Sequence, residues 1–311
     1  MMKKIPNLPR KTALLLCPLL LIPGILLAFE SFIPEPFNST GESADSVLRS
    51  VWHPVEVSSS LPSSFRQSKP NHISFSEHLT SAFDTLCYSG RPLRIIQIGD
   101  SHVAGKAFPH ALCEKLQLAL GAAPTDSLGF GIHFDYMARN GATAARMLTP
   151  ERLQQVALLR PDLLILSFGT NECHSLNYRE AEHQAELESV TRLLRQYLPQ
   201  TALLLTTPPG DYLYQRRYRQ RRPNPMSARC AAVIRQWGEN HRMAVWDLNS
   251  IAGGGVAPRN WSLARLLRND RVHFTPEGYT LHGHLLAEAI LTAYNAYLRQ
   301  RDSSSSTTGR P

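Results

Sequence analysis

The stretch Arg94-Ile95-Ile96-Gln97-Ile98-Gly99-Asp100-Ser101-His102 decides how the chain folds. Its apolar run stops abruptly at Gly-Asp-Ser-His, and a helical pattern opens behind it. Val103, Ala107, Phe108, Ala111, Leu112, Leu116 and Leu120 recur at helical spacing. This is a strand, a turn and a helix. In open α/β sheets, ligands bind outside the carboxyl ends of the strands, at such junctions. A serine in the turn has an exposed hydroxyl beside a helix N-terminus, whose free N–H groups favour negative charge. Ser101 is therefore the candidate nucleophile, and its plainer alternative is a helix N-cap.

Working outward, Leu163–Phe168, Ala202–Thr206 and Met243–Trp246 share the composition of strands buried on both faces, and Gly131–Met137 is a weaker fifth candidate. Helical patterns lie between most of them. Leu187, Val190, Leu194 and Leu198 mark one, stopped by Pro199; Cys230, Val233, Ile234 and Trp237 mark another. Leu281, Leu285, Leu286, Ala289, Ile290, Ala293 and Tyr297 mark the last, and Ser76 to Leu86 opens the domain. Alternation of this kind implies a parallel sheet with right-handed crossovers. The segments that follow the strands, Asp100-Ser101, Asn140-Gly141-Ala142, Gly169-Thr170-Asn171-Glu172 and Pro208-Pro209-Gly210-Asp211, then converge on one edge.

Ahead of the last helix stands Asp270-Arg271-Val272-His273-Phe274-Thr275-Pro276. Thr275 suits an N-cap and Pro276 the first helical turn. Asp270 stands three positions before His273, so the carboxylate can turn back onto the ring. A base and its orienting partner thus sit in one loop. Asp100 is expected to brace its turn. Glu172 and His174 are expected to be structural or rim residues, Cys173 a packing residue, and His282 and His284 ordinary helix residues; Asp126 and Asp135 have no evident partner.

These blocks resemble the SGNH hydrolases, also called the GDSL esterases, over roughly Arg94 to Arg299. The match lies in Ser101 of Gly-Asp-Ser-His, Gly141 of Asn-Gly-Ala, Asn171 of Gly-Thr-Asn-Glu and His273 of Asp-Arg-Val-His-Phe. His102 stands where the name-giving motif has leucine. Within that family the wording is most similar to envelope peptidoglycan O-acetylesterases, through Ser167 to Glu172, Thr206 to Pro209 and Asp270 to Thr275. The stretch from Leu120 to Gly141 is too short for the carbohydrate-binding insertion that some of those enzymes carry. The G-x-S-x-G elbow of the α/β-hydrolases is absent.

The resemblance implies a flavodoxin-like three-layer α/β/α fold around a central parallel sheet. It also implies a triad of Ser101, His273 and Asp270, and an oxyanion hole of the Ser101 N–H, the Gly141 N–H and the Asn171 amide. Neither metal nor cofactor is expected. The implied activity is removal of O-acetyl groups from an envelope polysaccharide, peptidoglycan foremost, through an acyl-enzyme. A lipid esterase or thioesterase and a polysaccharide O-acetyltransferase remain open alternatives, and a polysaccharide-binding protein with a vestigial site is the non-enzymatic one. The basic stretch Arg216–Arg222 is expected on the catalytic edge, with Arg217, Arg219 and Arg221 clamping an anionic polymer; Gly253-Gly254-Gly255 and Trp261 are expected as the opposite wall.

At the N-terminus, Lys3, Lys4, Arg10 and Lys11 precede an apolar run from Ala13 to Phe29, the order of an export signal or an uncleaved signal anchor. Residues 1–30 are assigned to that segment, 31–70 to a Ser/Pro-rich linker, 71–300 to the hydrolase domain and 301–311 to a disordered tail. The basic flank stays inside, placing the domain outside the inner membrane, on the periplasmic side of the envelope. The 311-residue chain is 43% hydrophobic, enough for a full core. Its net charge of +8 comes without a nucleic-acid-binding motif, which sets nucleic acid aside and leaves an anionic envelope polymer or simple solubility as the reading. Cys17 lies in the apolar run; Cys87, Cys113, Cys173 and Cys230 show no metal-ligand spacing and leave room for two unassigned disulfides.

Overall fold

A computed structural model describes Val55, Val57, residues 61–122 and residues 131–307. The expected export segment, Cys17 and Asp126 lie outside the described residues. Among the described residues no helix is long and apolar enough to cross a membrane.

The sheet contains β1 (Ile73–Ser74), β2 (Leu93–Gly99), β3 (Ile132–Ala138), β4 (Leu163–Ser167), β5 (Ala202–Thr206) and, after an intervening hairpin, β8 (Ala244–Trp246). Their spatial order is β1-β8-β5-β4-β2-β3. All pairs are parallel except β1 with β8, where Ile73 faces Trp246. Setting the antiparallel edge aside, the strands follow the doubly wound order of flavodoxin-like sheets, as expected. That order reverses between β2 and β4, which opens the crevice where such sheets bind ligands. Two-residue β1 is too short to leave a periodic trace in the sequence.

Side chains on successive strand residues point to opposite faces, and here both faces are buried. Ile95, Ile165 and Leu204 belong to one core; Ile96, Leu164 and Leu203 belong to the other. The first core is covered by α1 (Thr80–Tyr88), α3 (Ala107–Leu120) and the last helix α11 (Pro276–Thr307), through Phe83, Leu112, Leu116, Leu286 and Ile290. The second is covered by α5 (Pro150–Leu158), α7 (Glu180–Tyr197) and α8 (Met226–His241), through Leu153, Leu187, Val190 and Ile234. Three layers result, as the double burial of the strands requires.

The structure departs from the sequence reading in four places. The helix read as continuous from Val103 breaks into α2 (Ser101–Ala104) and α3, because Lys106 takes a left-handed φ of 68°. The basic stretch forms a hairpin of β6 (Tyr212–Gln215) and β7 (Gln220–Pro223), hidden from pattern reading because its second strand is almost wholly exposed. The expected linker is partly integral to the domain: Phe65 packs edge-on against Trp261 at 4.8 Å. Two side-chain amides hold the same segment, Asn260 bonding both N–H and C=O of Arg66, and Asn295 those of Val55. Helix α11 also runs to Thr307, past the expected start of the tail at 301, with Arg301 paired to Asp84 at 3.0 Å and lying over the Tyr88 ring. Cys87, Cys113, Cys173 and Cys230 are buried free thiols.

Candidate active site

Strand β2 ends at Gly99, where a Cβ would come within 2.8 Å of the Ser167 carbonyl on β4 and would also strike Val103. Only glycine lets the two strands and α2 meet this closely. The next residue, Asp100, takes extended backbone and caps α2, its Oδ1 accepting from the His102 N–H at 2.9 Å. The cap is thus Asp100 and not Ser101. Ser101 becomes the first helical residue, with no intrahelical partner for its N–H, and its hydroxyl is released from capping.

Ser101 Oγ lies 3.0 Å from Nε2 of His273, and His273 Nδ1 lies 3.0 Å from Oδ2 of Asp270. The local sequence builds the second half of this relay. Arg271 adopts a left-handed φ of 56°, which folds the loop back. Asp270 Oδ1 then accepts from the N–H groups of both Val272 and His273 at 2.9 Å, an Asx-type turn. Burial by itself would raise the Asp270 carboxyl; those two N–H bonds and the His273 ring outweigh it and hold it at about 2. The carboxylate is therefore charged throughout the neutral range. The loop is anchored from behind, Arg268 N–H donating to the His273 carbonyl at 2.8 Å, and Thr275 caps α11 through the Gly278 N–H at 3.2 Å.

Asn171 sits in the short helix α6 (Thr170–Cys173) after β4. Its Nδ2 donates to the Ala142 carbonyl at 2.8 Å and makes a long contact of 3.3 Å to Asp100 Oδ2. Gly141 has a φ of 71°, and a Cβ there would meet nothing within 4 Å. Glycine suits this turn for its backbone conformation, and the residue borders the cleft. Glu172, expected to be structural, bridges the two loops: it accepts from the N–H groups of Ala144 and Gly169 at 2.8 and 2.9 Å. Burial pushes both Glu172 and Asp100 up to about 7.

Of three further groups, His102 and Arg268 were not legible as site residues, and His174 was read as structural or rim. His102 is buried beside the serine and joins Tyr279 Oη on α11 to Thr170 Oγ1 on α6, each at 3.1 Å. Burial lowers its ring to about 4, so it is neutral and ties together the elements that carry His273 and Asn171. His174 bonds through Nδ1 to the buried Asp211, which also accepts from Asn224 Nδ2 and Ser227 Oγ. Arg268 lines the cleft from the His273 loop. The only available signals were the positions of His102 and His174 next to motif blocks; their partners are far off in the chain.

Ser101, Asn140, Gly141, Asn171, His174, Arg221, Arg268, Asp270 and His273 surround one open cleft of about 710 Å³. Of the arginines expected to clamp a polymer, only Arg221 borders it. Arg217 and Arg222 turn instead onto the Tyr218 ring, and Arg219 occupies the hairpin tip. Trp261 is not a wall of the site. It is completely buried, in edge-on contact with Phe65 and Phe274, and its Nε1 donates to the Pro209 carbonyl at 2.9 Å. Gly253 is likewise turned inward, against the Arg66 carbonyl and Asn260. His282 is also core, enclosed by Phe108, Trp261, Phe274 and Tyr279, and Asp135 pairs with His133 at 2.9 Å.

A doubly wound sheet with a serine and a histidine-aspartate pair meeting at its switch point is the frame of an ester hydrolase. Residues 98–281 match the model of the GDSL-like lipase/acylhydrolase family, and the chain belongs to that family of carboxylic-ester hydrolases. No curated protein sequence matches the chain. Among solved structures it is similar to a peptidoglycan O-acetylesterase, at 18% identity and a TM-score of 0.60, covering 75% of this chain and 98% of that one. A two-domain esterase active on acetylated mannans matches at 14% identity and a TM-score of 0.47, over 74% of this chain and 56% of that one. An acetyl xylan esterase matches at 16% identity and a TM-score of 0.45, over 64% of this chain and 100% of that one. At these identities the likeness is one of fold.

Proposed function

We propose that this hydrolase is a serine esterase that removes acetyl groups from an exported polysaccharide, with O-acetylated peptidoglycan as the first substrate to test. The observation that carries the reading is the unbroken line from Ser101 Oγ through the His273 ring to Asp270. Ser101 Oγ attacks the ester carbonyl while Nε2 of His273 takes its proton. Asp270 holds the ring with Nδ1 protonated and stabilises the imidazolium. Negative charge collects on the carbonyl oxygen, which receives the N–H groups of Ser101 and Gly141 and the Asn171 amide. For that, Asn171 exchanges its long contact with Asp100 for the oxyanion. Collapse expels the sugar alkoxide, which takes the proton from His273 and leaves acetyl-Ser101. Water, deprotonated by His273, then releases acetate.

A small acyl group is favoured by the cleft lining, in which Ala104 and Val272 are the aliphatic side chains. Among the described residues the cleft offers a long chain few aliphatic side chains to lie against. The protein that shares the fold at a TM-score of 0.60 is a peptidoglycan O-acetylesterase, which supports peptidoglycan as the polymer to test first. The basic-then-apolar N-terminus supports export, with the domain on the periplasmic side and the segment held in the inner membrane. A reporter fused after Arg310 that works only in the cytoplasm would refute that placement. For the chemistry, a fluorophosphonate probe should label the wild type and not Ser101→Ala, and p-nitrophenyl esters should be cleaved fastest at acetate. Equal labelling of both proteins would remove the nucleophile assignment. A maximum at long chains would point to a lipid esterase.

A further inference from the structure

The mechanism above leaves the cationic rim of the cleft without a role. Arg221 reaches it from β7, where it faces Tyr214 in the hairpin. Arg268 reaches it from a separate element, the loop whose other end carries His273. Neither guanidinium forms an ion pair with a described residue. A third group, His174, borders the same space. Its Nδ1 is fixed by Asp211, whose carboxylate is buried and already holds Asn224 and Ser227, so the ring cannot turn freely. Nε2 is left as its available polar atom. Asp270 also borders the cleft, but its oxygens accept from Val272, His273 and the His273 ring, and its charge is committed to the relay.

Two arginines on separate elements, without an ion pair among the described residues and lining one space beside the serine, match a planar anion better than a neutral sugar. Arginine presents donors in a fixed fork that fits a carboxylate in two-point fashion. We propose that Arg221 and Arg268, with His174 between the relay and the hairpin, form a subsite for a carboxylate on the substrate. The enzyme would then act on an O-acetylated acidic glycan and discriminate against its neutral counterpart. This rests on the serine-esterase reading. It moves the anionic contact from the hairpin tip, where Arg217 and Arg219 sit, to the cleft itself.

The test uses chemically O-acetylated polygalacturonate and the same polymer with its carboxyls amidated. In the full-length wild-type protein, kcat/KM for acetate release should favour the acidic polymer by about tenfold at low salt, as expected for partly exposed pairs. The preference should shrink as ionic strength rises, because exposed charges are screened. In Arg221→Gln/Arg268→Gln the ratio between the two polymers should fall toward one, and Arg221→Lys should keep part of it. The ratio is the readout, so a general loss of activity does not imitate the effect. A wild-type ratio near one, or a ratio that the double variant leaves intact, overturns the subsite. Failure of the wild type to hydrolyse p-nitrophenyl acetate would instead strike the esterase reading on which it rests.

Discussion

Replacing Asp270 with Asn tests the relay at its most local point. Both backbone N–H groups of the turn, from Val272 and His273, are received by Oδ1, and the ring is received by Oδ2. An asparagine that keeps the turn must therefore place its oxygen at the Oδ1 position and its NH2 toward Nδ1 of His273. The ring then accepts at Nδ1 and carries its proton on Nε2, where it cannot take the Ser101 proton. Turning the amide over restores the tautomer but forfeits two accepted bonds, about 0.5–1.5 kcal/mol each, and sets N–H against N–H, about 1–3 kcal/mol more. The competent arrangement is thus disfavoured by about 2–6 kcal/mol. At 1.36 kcal/mol per decade this is a roughly 30-fold to 25,000-fold loss. The comparable change in a serine protease, about 10⁴ in kcat, falls within that span. The assay is kcat on p-nitrophenyl acetate, with a thermal melt to show the fold intact and imidazole ¹⁵N shifts to read the tautomer. A folded variant within tenfold of wild type, or one with its proton still on Nδ1, would refute the reasoning.

Asn171→Ala should lower kcat by about 10²–10³ with little change in KM, because an oxyanion donor acts as charge develops; a raised KM with kcat untouched would remove it from that role. His183 gives a pH prediction. Burial lowers its ring from 6.5 to about 4 beside Tyr178, so the folded state excludes a proton that the unfolded chain binds between those values. Its contribution is present above about 6.5 and is lost as pH falls toward 4. In His183→Asn, urea melts at pH 4.5 and 6.5 should show a pH slope smaller by up to about 1.4 kcal/mol per unit than in wild type; an unchanged slope would show that the ring is protonated in the fold.

What the sequence determined by itself was whatever is local or periodic. Strands buried on both faces are apolar at most positions, so β2, β4 and β5 stood out within a residue of their ends. α3, α7, α8 and α11 carried the 3.6-residue period because each buries one stripe, whereas α5 left no such reading. The Asp270–His273 pair was legible for the same reason: three residues and one turn join them. Tertiary structure decided what depends on elements distant in the chain. Ser101 and His273 are 172 positions apart and meet only in the folded chain, Ser101 just past the end of β2 and His273 in the loop ahead of α11. The bonding of His174 to Asp211, and of His102 to Thr170 and Tyr279, leaves no local trace, since a polar side chain does not specify its partner. Trp261 could have lined a sugar site or filled a core; Phe65 and Phe274, packed from either side, put it in the core. Seven basic or polar residues read alike along Arg216–Arg222, and only the hairpin register turned Arg221 into the cleft while stacking Arg222 on Tyr218. Burial and periodicity are written residue by residue, but the pairing of polar groups is settled by which surfaces the packed cores bring face to face.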